Sequence, residues 1–243
     1  MRKEIILMLL PLFYVANIYA QDKIVNDPNA EVRKVSGFTG VTVSGAIELY
    51  VTQSNEEKVV ISARDAEDVA KIETVVENGT LKIRFKNRNN WWGNQWNTSG
   101  RKFRAYVSLP VIKKLASAGS GNIYVQGKIK ADDLRIGLSG SGNFEGEVEA
   151  GKIDVGLSGS SNVRIKGKAG TTSYSISGSG NIMGSNMAAD FCDVSISGSG
   201  NAELTVNKEL SARVSGSGNV RYYGSGLIRS VSTSGSGKVR KVS

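Results

Sequence analysis

A five-residue run, Ser-Gly-Ser-Gly-Asn in its commonest form, returns seven times between residues 118 and 238. Its last position falls at 122, 143, 162, 181, 201, 219 and 238, so the steps are 21, 19, 19, 20, 18 and 19 residues. A flexible Gly/Ser linker would not hold such a register. Apolar residues alternate with polar ones on either side of each copy, as in Leu134, Ile136 and Leu138, or Ala202, Leu204 and Val206. That is the period of a strand with one buried face. A second turn signal, such as Glu149-Ala150-Gly151-Lys152, closes each unit, which reads as two short strands and two turns. Two architectures accommodate this. In a meander, identical turns lie two strand spacings apart, about 10 Å, and never touch. In a parallel solenoid they stack at about 4.8 Å, where Asn and Ser can form ladders and Gly avoids a Cβ clash with the coil above. Stacking explains why the turn itself is repeated, so the solenoid is favoured. The expected fold is all-β: a parallel, β-helix-like solenoid with coils of about 19 residues.

The two halves of the chain differ. Of 29 Gly, 23 lie after residue 115, whereas all three Pro (Pro11, Pro28, Pro110) lie before it. Interior coils need every backbone N–H, so the lack of Pro there agrees with a solenoid. Residues 32–112 carry longer strand patterns without the full motif: Val41 to Val51 around Ser44-Gly45 (a degenerate first copy), Lys58 to Ala63, Lys71 to Val76, Thr80 to Phe85 and Phe103 to Leu109. Asn78-Gly79 signals a hairpin, and Asp65 to Ala70 allows one helical turn. This half is expected to be an N-terminal β-sheet unit capping the solenoid, because an open end exposes unpaired strand edges. The resulting divisions are 1–20, 21–31 (a linker), 32–112 and 113–243.

Residues 1–20 read as a signal peptide: Arg2 and Lys3, an apolar run from Ile5 to Ile18, and a small Ala20 before Gln21. The run is short for a span of about 20 residues, and no later stretch is long and apolar enough for one. The chain is expected to be exported, to the periplasm or the outer cell surface. Residues 21–243 hold 29 bases and 21 acids, a net charge of +8. Acidic polysaccharide is a compatible partner; nucleic acid is not expected, since no groove-reading motif is present. The single Cys192, between Phe191 and Asp193, excludes an internal disulfide and is expected to be a small buried side chain.

The chain has no His, which excludes Ser-His-Asp and Cys-His nucleophile systems and His-ligated metals. The repeated Gly-Ser-Gly lacks the Lys-Ser/Thr and following helix of a phosphate loop. Calcium-binding β-rolls repeat Asp every nine residues, and this repeat is twice as long with Asn. No metal or cofactor is expected. Glu145, Glu147 and Glu149 alternate on one strand, near Asp132, Asp133 and Arg135. An acidic row of this kind suits a polysaccharide-cleaving enzyme, but a solvated strand face is the simpler reading, and the chain is expected not to be an enzyme. The candidate ligand site is Trp91-Trp92-Gly93-Asn94-Gln95-Trp96, which holds every Trp of the chain, with Arg88 and Arg101 on either side. Trp offers an apolar face and a donor tip, and basic neighbours add charge, which suits sugars or anionic headgroups.

Gly37-Phe38 before Val41-Thr-Val-Ser-Gly45, the strand ending Val107-Ser-Leu-Pro110, and the run of Ser-Gly-Ser-Gly-Asn copies resemble the putative auto-transporter adhesin, head GIN domain family of Bacteroidetes. The resemblance covers roughly residues 32–243. It implies an exported all-β, solenoid-like domain with an adhesin-type role, and supplies no catalytic or binding residues. Too few residues follow the last copy for an outer-membrane barrel, so the chain is not expected to be an autotransporter by itself. The expected function is a non-catalytic, adhesin-like binding module of the cell envelope, for a polysaccharide or another envelope protein. The alternative is a structural envelope protein that self-assembles as a homo-oligomer.

Overall fold

The computed structural model describes residues 29–86 and 101–242. The signal-peptide reading and the Trp cluster therefore lie outside the described residues. Sixteen strands and one short helix follow in chain order: β1 Glu31–Arg33, β2 Gly40–Gly45, β3 Ile47–Gln53, β4 Lys58–Ser62, α1 Ala66–Ala70, β5 Ile72–Glu77, β6 Thr80–Phe85, β7 Phe103–Leu109 and β8 Lys114–Gly119. Then come β9 Ile123–Gly140, β10 Asn143–Gly159, β11 Asn162–Gly178, β12 Asn181–Gly198, β13 Asn201–Gly216, β14 Asn219–Tyr223, β15 Leu227–Gly235 and β16 Lys238–Lys241.

The repeats form a parallel solenoid. β9 to β13 pair in parallel with their neighbours, with identical motif positions opposite one another: Asn143 with Asn162, Asn162 with Asn181, Gly159 with Gly178. The sharp turn is at the motif, and in β10 the strand runs without a break through Glu149–Lys152, where the sequence suggests a second turn. The far side of the coil still bends: Gly127, Gly167 and Gly224 take φ of 84°, 124° and 93°, and the last coil breaks between Tyr223 and Leu227. A Cβ on Gly151 would lie 2.8 Å from the Asp132 carbonyl oxygen, so the coils approach too closely there for a side chain.

The motif turn works through its backbone. The first Gly of each copy takes a positive φ, from 100° at Gly159 to 137° at Gly119. Its carbonyl accepts N–H bonds from the coil above: Gly178 O from Ser199 N at 2.9 Å and Gly200 N at 3.1 Å, Gly198 O from Ser217 N at 2.9 Å and Gly218 N at 3.1 Å. The Asn side chains form the expected ladder, each Nδ2 donating to the Oδ1 below: 3.0 Å from Asn143 to Asn122, 3.0 Å from Asn162 to Asn143, 2.9 Å from Asn181 to Asn162, and 3.1 Å from Asn201 to Asn181 and from Asn219 to Asn201. Ser161, in the Gly position of its copy, is fully buried and donates its Oγ to Gly140 O at 3.1 Å. Replacing Asn181 by Ala removes two ladder bonds and the acceptor of the Asn201 N–H. At about 0.5–1.5 kcal/mol per bond, thermal unfolding should begin several degrees lower; an unchanged Tm would mean the ladder only decorates the turns.

The first half shares this register. Ser44-Gly45 is the first copy of the turn: Gly45 lies beside Gly119 with φ 86°, and β2 and β3 pair in parallel with β8 and β9. On the other side, β6 pairs in parallel with β2 and β7 with β3, so β6 and β7 form one more coil. Antiparallel strands close this end: β5 on β6 through Asn78 (φ 50°) and Gly79 (φ 67°), β4 on β7, and β1 on β4. The single turn α1 is capped by Asp65, whose carboxylate accepts from Asp68 N at 2.8 Å. One hydrophobic core runs from Phe38 to Tyr222, filled by Ile, Leu and Val from both sides of each coil and by Phe103 and Phe144.

Cys192 is buried beside Thr172, as the sequence suggests. Burial pushes its thiol up to about 12. At pH 8 the buried thiol therefore stays protonated, and the thiolate is the reactive form. A thiol reagent should leave the folded protein unlabelled and add one label per chain in denaturant. Rapid labelling of the native state would contradict this burial.

Candidate functional site

Eight tight turns, at Gly45, Gly119, Gly140, Gly159, Gly178, Gly198, Gly216 and Gly235, stack along one edge of the solenoid. Next to Gly45, the coil made by β6 and β7 ends one strand at Phe85 and starts the next at Phe103. Val43 lies beside Ile83 and Ile47 beside Phe103, so β6 ends and β7 begins next to the turn that the neighbouring coil makes at Gly45-Ala46, and residues 86–102 join the two strands in sequence. This longer connection contains Arg88, Trp91, Trp92, Trp96 and Arg101. Of these, only Arg101 is among the described residues. Phe85 and Phe103 close the column beneath it, their rings edge to face at 4.9 Å. The Phe85 ring fills the space beside Gly45, where an added Cβ would come within 3.0 Å of it.

Arg101 anchors the return of the connection. Its Nη1 lies 2.7 Å from Oδ1 of Asp68, a carboxylate with 1% exposure, and Lys71 Nζ lies 2.7 Å from the same oxygen. The guanidinium that sequence reasoning assigns to a ligand is thus bonded to α1. Lys86 and Lys102 are exposed at the two ends of the connection.

Beside it, on the outer face of the sheet, is a feature that sequence reading misses. Tyr106, Tyr50 and Tyr124 stack on adjacent strands, with ring centroids 5.1 and 5.2 Å apart and planes 17° and 24° from parallel. Glu48 and Arg104, 3.5 Å apart, lie between this ladder and the turn column. Partial burial and the Glu48 carboxylate raise the Tyr50 phenol above its ordinary value, and its hydroxyl donates to Glu48 Oε2 at 3.2 Å. Stacked this way, the Tyr50 ring has a neighbour on each face, and the Tyr124 hydroxyl accepts from Asn122 Nδ2 at 3.2 Å. Nothing in the separate surroundings of Tyr50, Tyr106 and Tyr124 announces the ladder; it needs the strand register.

The acidic row is matched by bases on the adjoining coils. Glu145 pairs with Arg164 (3.5 Å), Glu147 with Lys128 (2.9 Å) and Lys166 (3.4 Å), and Glu149 with Lys168 (2.8 Å). A hydrogen bond from Lys128 holds the Glu147 carboxyl below its ordinary range, and one from Lys168 does the same for Glu149. A general acid for glycoside cleavage needs the opposite shift. An open groove of about 1010 Å³ follows the far corner of the coils. Its floor is small (Ala131, Ala150, Ala169) and its walls alternate in sign (Lys113, Lys130, Asp132, Asp190). Among the described residues, no group of three or more Cys, Asp or Glu is placed to hold a metal ion, and no helix is long and apolar enough to cross a membrane.

Comparison with solved structures supports the fold. A putative adhesin from Bacteroides fragilis superposes with a TM-score of 0.78 at 23% identity, covering 88% of this chain and 96% of that one. A putative lipid binding protein from Parabacteroides distasonis gives 0.69 at 22% identity, covering 90% and 98%. A putative adhesin from the same species gives 0.65 at 23% identity, covering 88% and 96%. At these identities the likeness is one of fold. A search of curated proteins finds no match. The family model described as putative auto-transporter adhesin, head GIN domain matches residues 37–226, from the entry into the first coil to the last full one. With that match over most of its length, and the stacked Gly turns that carry it, the chain belongs to the putative auto-transporter adhesin, head GIN domain family.

Proposed function

We propose that this adhesin-like module is exported and binds a glycan of a cell surface or envelope through the connection 86–102, without catalysis. One observation carries the reading: β6 ends and β7 begins beside the column of tight Gly turns, and the residues that join them in sequence hold every Trp of the chain. Insertions at one edge of a repeat scaffold are common sites of recognition, since the rigid coils position them. Trp91, Trp92 and Trp96 would stack on sugar rings, Arg88 would meet acidic groups, and Arg101 would hold the base of the connection on Asp68.

The test is binding of the purified chain to a panel of bacterial and host-surface polysaccharides. Replacing Trp91, Trp92 and Trp96 together by Ala should weaken binding at least about tenfold, the loss of about 1.4 kcal/mol, with the melting curve unchanged. Equal binding by the variant would take those residues out of the site. Protease treatment of intact cells separates the two compartments: a surface module is cut, and a periplasmic one is cut only after the outer membrane is opened.

A further inference from the structure

The two ends of the solenoid differ in the way that a head-to-tail contact requires. At the C-terminal end, β15 pairs only with β13 and β16 only with β14, so one edge of each is unpaired among the described residues. Ile228 and Val231 continue the rows of Leu210 and Ala212 into the bore of the coil, yet they are 51% and 43% exposed, and Leu227 beside them is 74% exposed. A bore left open in this way wants another layer. Residues 225–242 carry four bases and no acid. Arg229 approaches Glu209 at 3.8 Å, while Lys238, Arg240 and Lys241 have no carboxylate partner among the described residues.

The N-terminal end carries the opposite sign. Its outer layers, residues 29–36 and 54–79, hold eight acids and five bases, a net charge of −3. Glu73 and Glu77 pair with Arg84 and Lys82 on β6, whereas Glu56, Glu57 and Glu67 have no ion pair among the described residues. β5 leaves its far edge unpaired, with Val75 and Val76 half-buried, and Val32 on the edge strand β1 is 60% exposed. β5 ends the same side of the solenoid as β15, and β1 ends the same side as β16.

We infer that the C-terminal coil of one copy docks on the N-terminal cap of a second copy. The edge of β15 meets the edge of β5, the apolar residues around Ile228 and Val231 are covered by the next cap, and the basic end faces the acidic one. This goes beyond the proposed recognition role. A tail-to-tail pair would instead bring two sets of four bases together, so the signs favour the heterologous contact. Such a contact does not close on itself and builds linear chains of solenoids. It weakens with salt, because the Debye length falls from about 10 Å at 0.1 M to about 3 Å at 1 M.

Sedimentation velocity of the chain lacking residues 1–20 and of two variants tests the inference. Val231→Lys blocks the tail; Glu67→Lys with Val75→Lys brings the net charge of the head from −3 to 0. Circular dichroism confirms that each folds. The unaltered chain should grow with concentration at low salt and shrink at high salt. Each variant alone should weaken association at least about tenfold, and the two mixed should form a one-to-one dimer, since each keeps the end the other needs. A strictly monomeric unaltered chain overturns the inference. So does a head variant that still dimerises alone, which would indicate tail-to-tail pairing, or a mixture that stays monomeric.

Discussion

Replacing Gly198 by Ala should lower the stability of the solenoid by about 4 kcal/mol. Two effects add. At φ 125° an L side chain occupies backbone space that only Gly adopts easily, which costs roughly 1–3 kcal/mol. The new Cβ would also stand 2.4 Å from the Gly178 carbonyl oxygen. That oxygen accepts from Ser199 N and Gly200 N, so moving it strains two hydrogen bonds of about 1 kcal/mol each. For a chain of this size, Tm should fall by about 8–16 °C. Gly156→Ala is the control. Gly156 lies on the outer face, and the new methyl would have nothing within 4 Å of it, so the substitution should be neutral or add about 0.5–1 kcal/mol. Equal effects at the two sites would show that the column tolerates a Cβ.

Arg101→Ala should cost about 3 kcal/mol, or about 6–12 °C in Tm, although its own side chain is only partly buried. The effect comes from Asp68. Its carboxylate is buried, both cations reach the same oxygen, and removing one leaves a charge that cannot return to water. Retention of Lys71 places the loss at the lower end of the range for broken buried pairs. Lys102→Ala, one residue on and exposed, should change stability by no more than about 0.5 kcal/mol. If Arg101→Ala instead weakens glycan binding with an unchanged melting curve, the guanidinium serves the ligand directly and not the base of the connection.

The coils are legible in the sequence because their causes are local and repeated. Every copy places Gly at its tight turn and six of the seven place Asn where a ladder can form, so the spacing of Gly178, Gly198 and Asn181 already implies parallel stacking. The hairpin at Asn78-Gly79 and the helical turn capped by Asp65 are legible for the same reason: a few adjacent residues decide them. The second corner is not, because Ala150-Gly151 has the composition of a turn while the continued pairing with Ala131 and Ala169 holds the backbone extended.

The candidate site divides along the same line. Composition alone singles out the Trp residues, and nothing in their neighbours could place the ends of β6 and β7, which flank them, beside the turn at Gly45. That position depends on β6 lying beside β2 and β7 beside β3, after the chain has reversed through β4 and β5. The Tyr50–Tyr106–Tyr124 ladder, the matching of Glu147 by Lys128 and Lys166, and the Arg101–Asp68 bond are likewise products of register between distant segments. Turn chemistry and alternation act between neighbours in the chain, so the sequence by itself determined a β-solenoid built from stacked Gly turns. Which strands flank the Trp-bearing stretch, which charges meet and which end stays open are decided by contacts between residues far apart in sequence. Only the tertiary structure, by setting the order in which strands stack, brings those residues together.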